Sequence, residues 1–517
     1  MLLKQLRKCA SLRIVNFIGL ATVMAGLALS FSYIKKEMSY DRYHQNADRI
    51  ARLSFRYENE ELDGRIVGLP RNSPVFEECG SLEEVALMRL INTALMVCGE
   101  KSKVINNMMR VTPGFFRIFD LKWREGGEDA AADRDGRVAL SASLARELFG
   151  EEPALGRELK MSSRQFEEQT FFVSGVYDDM PSASHFHTDL IAYRADNDAE
   201  GYSYAYVLLR PGVSMEDASA ELSAAAGRFF AEAPRKPQPE LMPLTDIHLH
   251  SRALRELEPN GNISYIYIMG GANALLLLIV MFNLWLNAGL IFARNRKFYR
   301  LLRLNGASTQ DVIGLEARLA ALLAAGSVVA GACLAIVSAA SLGIDIGIIS
   351  AMEWGIMCAG MFGAIVGVSL WPIPGAMAST LFLNNNDANE GFSLAKVKYM
   401  LIAQYAMVMF IVILSFGISR QIQTIRRLQV GGNTPGLLVM KEQAAIIQEK
   451  YDLLRAELLR HPEIEAVTAA MQLPGSAIRD ALNFKRPEQA DAEAIMLPIM
   501  VVGDDFMPFF RIDPVAG

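Results

Sequence analysis

The chain has 517 residues, of which 51% are hydrophobic and 21% charged, and its mean hydropathy is +0.20. A formal net charge of −6 excludes a generic basic nucleic-acid binder, and five cysteines in so long a chain exclude a disulfide-held scaffold. The positive hydropathy argues against a wholly soluble protein, because the charges are unevenly spread.

Five windows hold no charged residue: 14–34, 263–293, 319–344, 354–383 and 399–418. About 20 apolar residues suffice to cross a bilayer, and a helix satisfies its own backbone in lipid, so five transmembrane helices are expected. Lys4, Arg7, Lys8 and Arg13 before the first window also fit the basic start of a signal peptide. The apolar run is longer than the usual 7–15 residues, which favours an uncleaved anchor. A second basic cluster, Arg294, Arg296, Lys297, Arg300 and Arg303, follows the second window. Both clusters are expected in the cytoplasm, which places 35–262, the loop between spans three and four, and the chain after Arg420 outside.

In the first outer segment Phe171, Phe172 and Val173, and the run from Tyr204 to Leu209, read as strands. Ser143 to Phe149 reads as a short helix stopped by Gly150. Ser214 with Glu216 and Asp217 reads as the start of a helix reaching about Ala231. Pro234, Pro237, Pro239 and Pro243 then suggest a stiff linker toward the membrane. In the second outer segment Ile447, Tyr451, Leu454 and Leu458 recur at helical spacing, as in an amphipathic helix on a sheet.

Pro113-Gly114-Phe115-Phe116-Arg117-Ile118 is echoed by Pro508-Phe509-Phe510-Arg511-Ile512. Each copy follows one span preceded by bases, which points to a duplicated unit of span plus outer domain. The second copy is expected to be incomplete relative to the first, with unpaired sheet edges.

No phosphate-binding G-x-x-x-x-G-K-[ST] loop, H-E-x-x-H, C-x-x-C or G-x-S-x-G occurs. His185/His187 and His248/His250 are H-x-H pairs that would share a face on a strand and offer metal ligands. No Cys or carboxylate pattern completes such a site, so interface histidines, and no metal, are expected. Cys79 and Cys98 both fall in the outer segment, where pairing is open to them. Cys333 and Cys358 read as small apolar residues within spans. Asn273, Asn283 and Asn287 lie in the second span, the latter two on one face, and are read as interhelical glue. Gly363 and Gly367 form a G-x-x-x-G close-packing signal.

Glu37-Met38-Ser39-Tyr40-Asp41-Arg42-Tyr43-His44, followed by Ala47-Asp48-Arg49-Ile50, resembles the segment after the anchor in FtsX-like, MacB-type ABC transporter permeases of Bacteroidetes. Val138-Ala139-Leu140-Ser141 with Leu144, Ala145, Leu148, Phe149, Gly150 and Gly156 is similar to an element of their periplasmic domain. Ser174-Gly175-Val176 with Asp179, Pro181, Ser184 and His185 is similar to another. Ile247-His248-Leu249 with Ser251 matches the element before their second span, and Asn305-Gly306-Ala307-Ser308 their turn after it.

The resemblance implies a helical membrane bundle plus a mixed α/β periplasmic domain with a β-rich insertion, and a partial second copy. The organisation it implies is an N-terminus and first span at 1–34, a periplasmic core domain at 35–262, and a three-span permease domain at 263–383 with its coupling loop at 294–316. A cytoplasmic linker (384–398), a fifth span (399–418) and a partial second periplasmic domain (419–517) follow. It further implies a non-enzymatic, cofactor-free permease subunit of the inner membrane, driven by a separate ABC-type ATPase and exporting or extracting a substrate. A homo- or heterodimer of permeases, membrane lipid and a periplasmic or outer-membrane adaptor are the other implied partners, and no nucleic acid. The alternative is a non-transporting regulator of a cell-envelope partner such as a cell-wall hydrolase. Arg294, Arg296, Lys297, Arg300, Arg303 and Gly306 are the implied ATPase-coupling residues. Phe298 stands where the family usually has glutamate and Arg300 where it has glycine, leaving the patch purely cationic.

Overall fold

The structure, a computed structural model, describes residues 10–57, 68–70, 74–91, 93–127, 136–163, 166–193, 202–232, 237–253, 256–373, 394–428, 436–440, 447, 449–472, 481–489 and 495–512. In chain order the elements are α1 (Ala10–Met38), β1 (Ile50–Tyr57), β2 (Gly68–Pro70), β3 (Leu82–Ile91), β4 (Ala94–Cys98), β5 (Lys101–Ile105), β6 (Met108–Val111) and α2 (Gly114–Ile118). Then come β7 (Trp123–Gly126), β8 (Arg137–Ser141), α3 (Ala142–Phe149), β9 (Glu158–Ser163), β10 (Phe166–Tyr177), β11 (Leu190–Tyr193), β12 (Tyr202–Leu209), α4 (Met215–Phe229), β13 (Pro237–Pro243) and α5 (Ile247–His250). The helices α6 (Ile263–Arg294), α7 (Arg296–Leu304), α8 (Thr309–Leu342), α9 (Ala351–Leu370) and α10 (Leu394–Leu428) follow. The chain ends with α11 (Tyr451–Leu458), β14 (Ala481–Phe484), β15 (Ile495–Pro498) and α12 (Phe506–Phe509).

Two compact units result, one of Met1–Met38 with Asn262–Ile422, the other of Ser39–Gly261 with Gln423–Gly517. The first is helical. Five segments among the described residues are long and apolar enough to cross a membrane: Ser11–Met38, Ile263–Phe292, Thr309–Leu342, Ala351–Leu370 and Leu401–Thr424. Leu20 and Met24 of α1, Leu284 of α6, Ala324 and Val328 of α8, and Met361 and Ile365 of α9 form its core. Both α8 and α9 begin at capping boxes, Ser308 with Asp311 and Ser350 with Glu353, and Gly343 at φ +66° ends α8. α9 (Ala351–Leu370) occupies the first part of the fourth uncharged window, 354–383. Residues 374–383 lie outside the described residues.

In the second unit one thirteen-stranded sheet runs β13-β1-β12-β3-β6-β11-β8-β10-β9-β4-β5, with β2 beside β12 and β7 beside β10. Alternation fixes its two faces. Ala205, Val207 and Leu209 of β12 pack with Leu222 and Ala226 of α4, while Tyr206 and Leu208 turn to the opposite core with Phe115 and Phe119. Ser141 caps α3 by accepting from the Leu144 amide at 3.2 Å, and Gly150 at φ +67° ends it. Ser214 caps α4 through the Asp217 amide at 3.1 Å.

The expected proline linker is instead partly strand: β13 pairs with β1 over seven residue pairs, from Ala51↔Pro243 to Tyr57↔Pro237. Prolines are tolerated there because β13 is an edge strand with one side unpaired. The β-rich part, β4, β5 and β9, continues the same sheet around its own core of Met96, Leu140, Leu159 and Met161.

The two echoing motifs sit alike. α2 follows the antiparallel pairing Met88↔Val111, and α12 follows the antiparallel bridge Ala470↔Val502. In the second copy Leu482, Phe484, Ile495 and Leu497 of the β14–β15 hairpin are exposed, and no α11 residue is buried.

Candidate functional site

Two constellations stand out, one in each unit. The first is the basic loop. After α6 the buried Asn295 donates its amide to the Ile291 and Phe292 carbonyls, and α7 starts at once. Tyr299 anchors α7. Its ring stacks on Phe292 (centroids 4.8 Å apart, 13° between planes), and its hydroxyl donates to Glu316 of α8. Val312 and Ile373 complete the cluster, with Phe298 and Leu302 packed against it. Burial raises the Tyr299 pKa, so the phenol keeps its proton. Gly306 at φ +87° takes a conformation costly for other residues and stops α7 before Ser308 caps α8.

Lys297, Arg300, Leu301 and Leu304 lie at helical spacing on the opposite face, all exposed, and Arg294 is exposed as well. Arg303 is half-buried, and the Arg296 side chain lies outside the described residues. Phe298 is half-buried and packs against the Phe292–Tyr299 cluster.

Asn287 of α6 donates to Asn16 of α1 at 2.6 Å, across two apolar helices. Asn283, one turn earlier, is half-buried. Among the described residues, a Cβ on Gly363 or Gly367 would meet nothing within 4 Å. The close approach occurs at Gly331 of α8 against Met24, an A-G-A-C stretch with no G-x-x-x-G spacing to announce it.

The second constellation is a buried polar chain in the sheet unit. Arg52 projects from β1 and is 1% exposed. Its guanidinium grips Glu256 with both Nη atoms, at 2.5 and 2.8 Å, and Nη2 also donates to Ser251 Oγ at 2.8 Å. Ser251 in turn donates to Glu256. Desolvation works against the charge of Arg52, but the Glu256 bond outweighs it and raises the pKa further. Beside them the Tyr206 hydroxyl lies 2.6 Å from His185 Nε2, and His185 Nδ1 lies 3.0 Å from Asp41 Oδ1.

Asp41 is wholly buried at φ +58°, its amide donating to the Ala183 carbonyl at 2.9 Å. Burial alone would raise its pKa, yet His185, through its charge and its hydrogen bonds, brings it below the usual value. The Asp120 amide donates to His44 Nδ1 at 3.0 Å, which requires the neutral ring, and burial lowers the His44 pKa to about 4. Tyr40 stacks on His248 at 3.4 Å. His187 bonds Glu258 at 2.6 Å and the Pro181 carbonyl at 3.0 Å, and the Glu258 bond raises its pKa.

The H-x-H pairs therefore do not lie on strands: His185 and His187 are in a loop and His248 and His250 in α5. Each histidine of the first pair has its own carboxylate, so they do not converge. Cys79 and Cys98 are both free thiols, and Cys79 Sγ donates to the Val75 carbonyl at 3.2 Å. Sequence reasoning quoted Asp41, His185, His248 and Ser251 as motif pieces but missed Arg52, Glu256 and Tyr206. The available signal was an arginine flanked by apolar residues, Ile50-Ala51-Arg52-Leu53.

Solved structures with a likeness to the chain cover only part of it. A domain assigned to a permease protein of Porphyromonas gingivalis is 23% identical over 39% of this chain and 91% of its own, with a TM-score of 0.33. The periplasmic region of MacB from Actinobacillus actinomycetemcomitans is 17% identical over 39% and 91%, with a TM-score of 0.31. The extracellular domain of the noncanonic ABC-type transporter YknZ from Gram-positive bacteria is 14% identical over 37% and 99%, with a TM-score of 0.29. No curated protein matches the chain. Residues 14–225, which run from α1 through the sheet into α4, match the MacB-like periplasmic core domain. That segment of the chain is therefore similar to the periplasmic core domain of MacB-like proteins.

Proposed function

We propose that the chain is the permease subunit of an ABC transporter. In this reading a separate ATPase hydrolyses nucleotide, and the chain turns that step into movement of its periplasmic domain, exporting or extracting a substrate. It is no enzyme itself, sits in the bacterial inner membrane with its amino terminus in the cytoplasm, and works as a dimer of permeases, with a periplasmic or outer-membrane adaptor as a further partner.

One observation carries the ATPase part: α7, nine residues between two apolar helices, is pinned by Tyr299 yet offers Lys297, Arg300, Leu301 and Leu304 outward. A fixed helix with a mixed basic and apolar stripe suits a partner's acidic groove, where charge steers the encounter and leucines bury area. A basic loop held only by topology and anionic headgroups needs neither the tyrosine anchor nor exposed leucines.

The test is co-purification with an ABC-type ATPase. Arg300→Glu combined with Arg303→Glu should abolish it while membrane insertion persists, and raised salt should weaken the parent complex. Undiminished co-purification of the double variant would refute coupling through α7.

A further inference from the structure

The buried polar chain joins three segments distant in sequence: 40–52 just after α1, the loop 181–188, and 246–258 just before α6. Asp41 stands three residues past the last residue of α1, and Glu256 seven residues before the first of α6. Arg52–Glu256, Tyr40–His248, Asp41–His185 and His187–Glu258 all tie one of these segments to another. The β1–β13 pairing runs beside them.

We infer that these contacts form a clasp, which holds the segment that follows the first apolar helix and the segment that precedes the second as one rigid piece within the sheet unit. Burying a charged pair is a poor way to gain stability alone, since apolar residues of like volume often serve as well or better. What the bidentate fork, the stacked rings and the His185 relay supply is fixed geometry. At the other end of the sheet the tie is of a different kind: Lys103 and Glu147 pair with side chains 36% and 58% exposed. The clasped end is therefore the more tightly held one.

The experiment is amide hydrogen exchange on the full chain in micelles, without an ATPase. Glu256→Gln keeps the shape of the acid and removes its charge. Exchange should rise tenfold or more in 39–52, 181–188 and 244–258, and stay within twofold in β4, β5 and β9. An even rise across the sheet would mean an ordinary core group, and no rise would mean no clasp; either overturns the inference. Should Glu256→Gln not accumulate, Glu258→Gln removes the half-exposed His187 pair and should give about a threefold rise confined to the loop 181–188 and residues 256–261. The same two outcomes would overturn it. Loss of ATPase co-purification would bear on the permease reading and not on this pattern.

Discussion

Gly331 of α8 and Met24 of α1 approach so closely that a Cβ on the glycine would lie 2.6 Å from the methionine Cβ and 2.8 Å from the Ala21 carbonyl oxygen. The second of these is backbone and cannot swing aside. Gly331→Ala should therefore force the helices apart and destabilise the bundle by about 1–3 kcal/mol. Gly363→Ala and Gly367→Ala, which meet open space, should stay within about ±0.5 kcal/mol. Thermal unfolding in micelles compares the three, and equal shifts would contradict this assignment of the close contact.

The Asn287–Asn16 bond predicts coupling between two single changes. Asn287→Leu and Asn16→Leu should each destabilise, but together by less than their sum, with an interaction of about 0.5–2 kcal/mol. A double-mutant cycle by reversible unfolding in mixed micelles measures it. Strict additivity would mean that the amides do not rely on each other.

How far the sequence disclosed these contacts depended on whether they were local. Uncharged windows and a cap such as Ser214 are written in consecutive residues, and helices form where they indicate. The fourth span is described as far as Leu370, and residues 374–383 of its uncharged window lie outside the described residues. The proline-rich stretch before Ile247 was misread as a linker. Its strand character depends on β1, nearly 190 residues earlier in the chain, offering an edge. Arg52 and Glu256 are 204 residues apart, and neither residue alone signals the other. Gly363 and Gly367 matched a motif, yet among the described residues nothing comes within 4 Å of a Cβ placed on either. The α7 anchor was half legible: the bases were evident, but Tyr299 meets Glu316 only once the turn at Gly306 folds back.

The sheet unit should weaken as pH falls from about 6.5 to 4. Burial holds folded His44 neutral, with its pKa lowered to about 4, whereas the unfolded chain takes up a proton near 6.5. More protons on the unfolded state mean stability that rises with pH across that window, by at most about 3 kcal/mol. His187 acts oppositely. Its raised pKa gives stability that is full below about 6.5 and lost as pH rises through the folded value, though its partly exposed pair is screened and small. Asp41, lowered, contributes above about 3.9 and fails only at more acid pH. Urea unfolding at a series of pH values should show the slope, and His44→Gln should flatten it. An unchanged slope would assign the titration to another group.

The orientation proposed for the chain can be tested without any partner. Two basic clusters, one at the amino terminus and one around α7, flank the first two apolar helices, and basic residues are retained on the cytoplasmic side. If both clusters are inside, the segment between α1 and α6 must be outside, since each helix crosses once. Ser223 of α4 and Gln310 of α8 are both exposed and suit single-cysteine labelling in a cysteine-free background. In intact cells a membrane-impermeant maleimide should label Ser223→Cys and spare Gln310→Cys, and permeabilising the inner membrane should expose the second. A reagent that reaches Gln310→Cys first would invert the topology and remove α7 from any cytoplasmic ATPase, taking the proposed coupling with it.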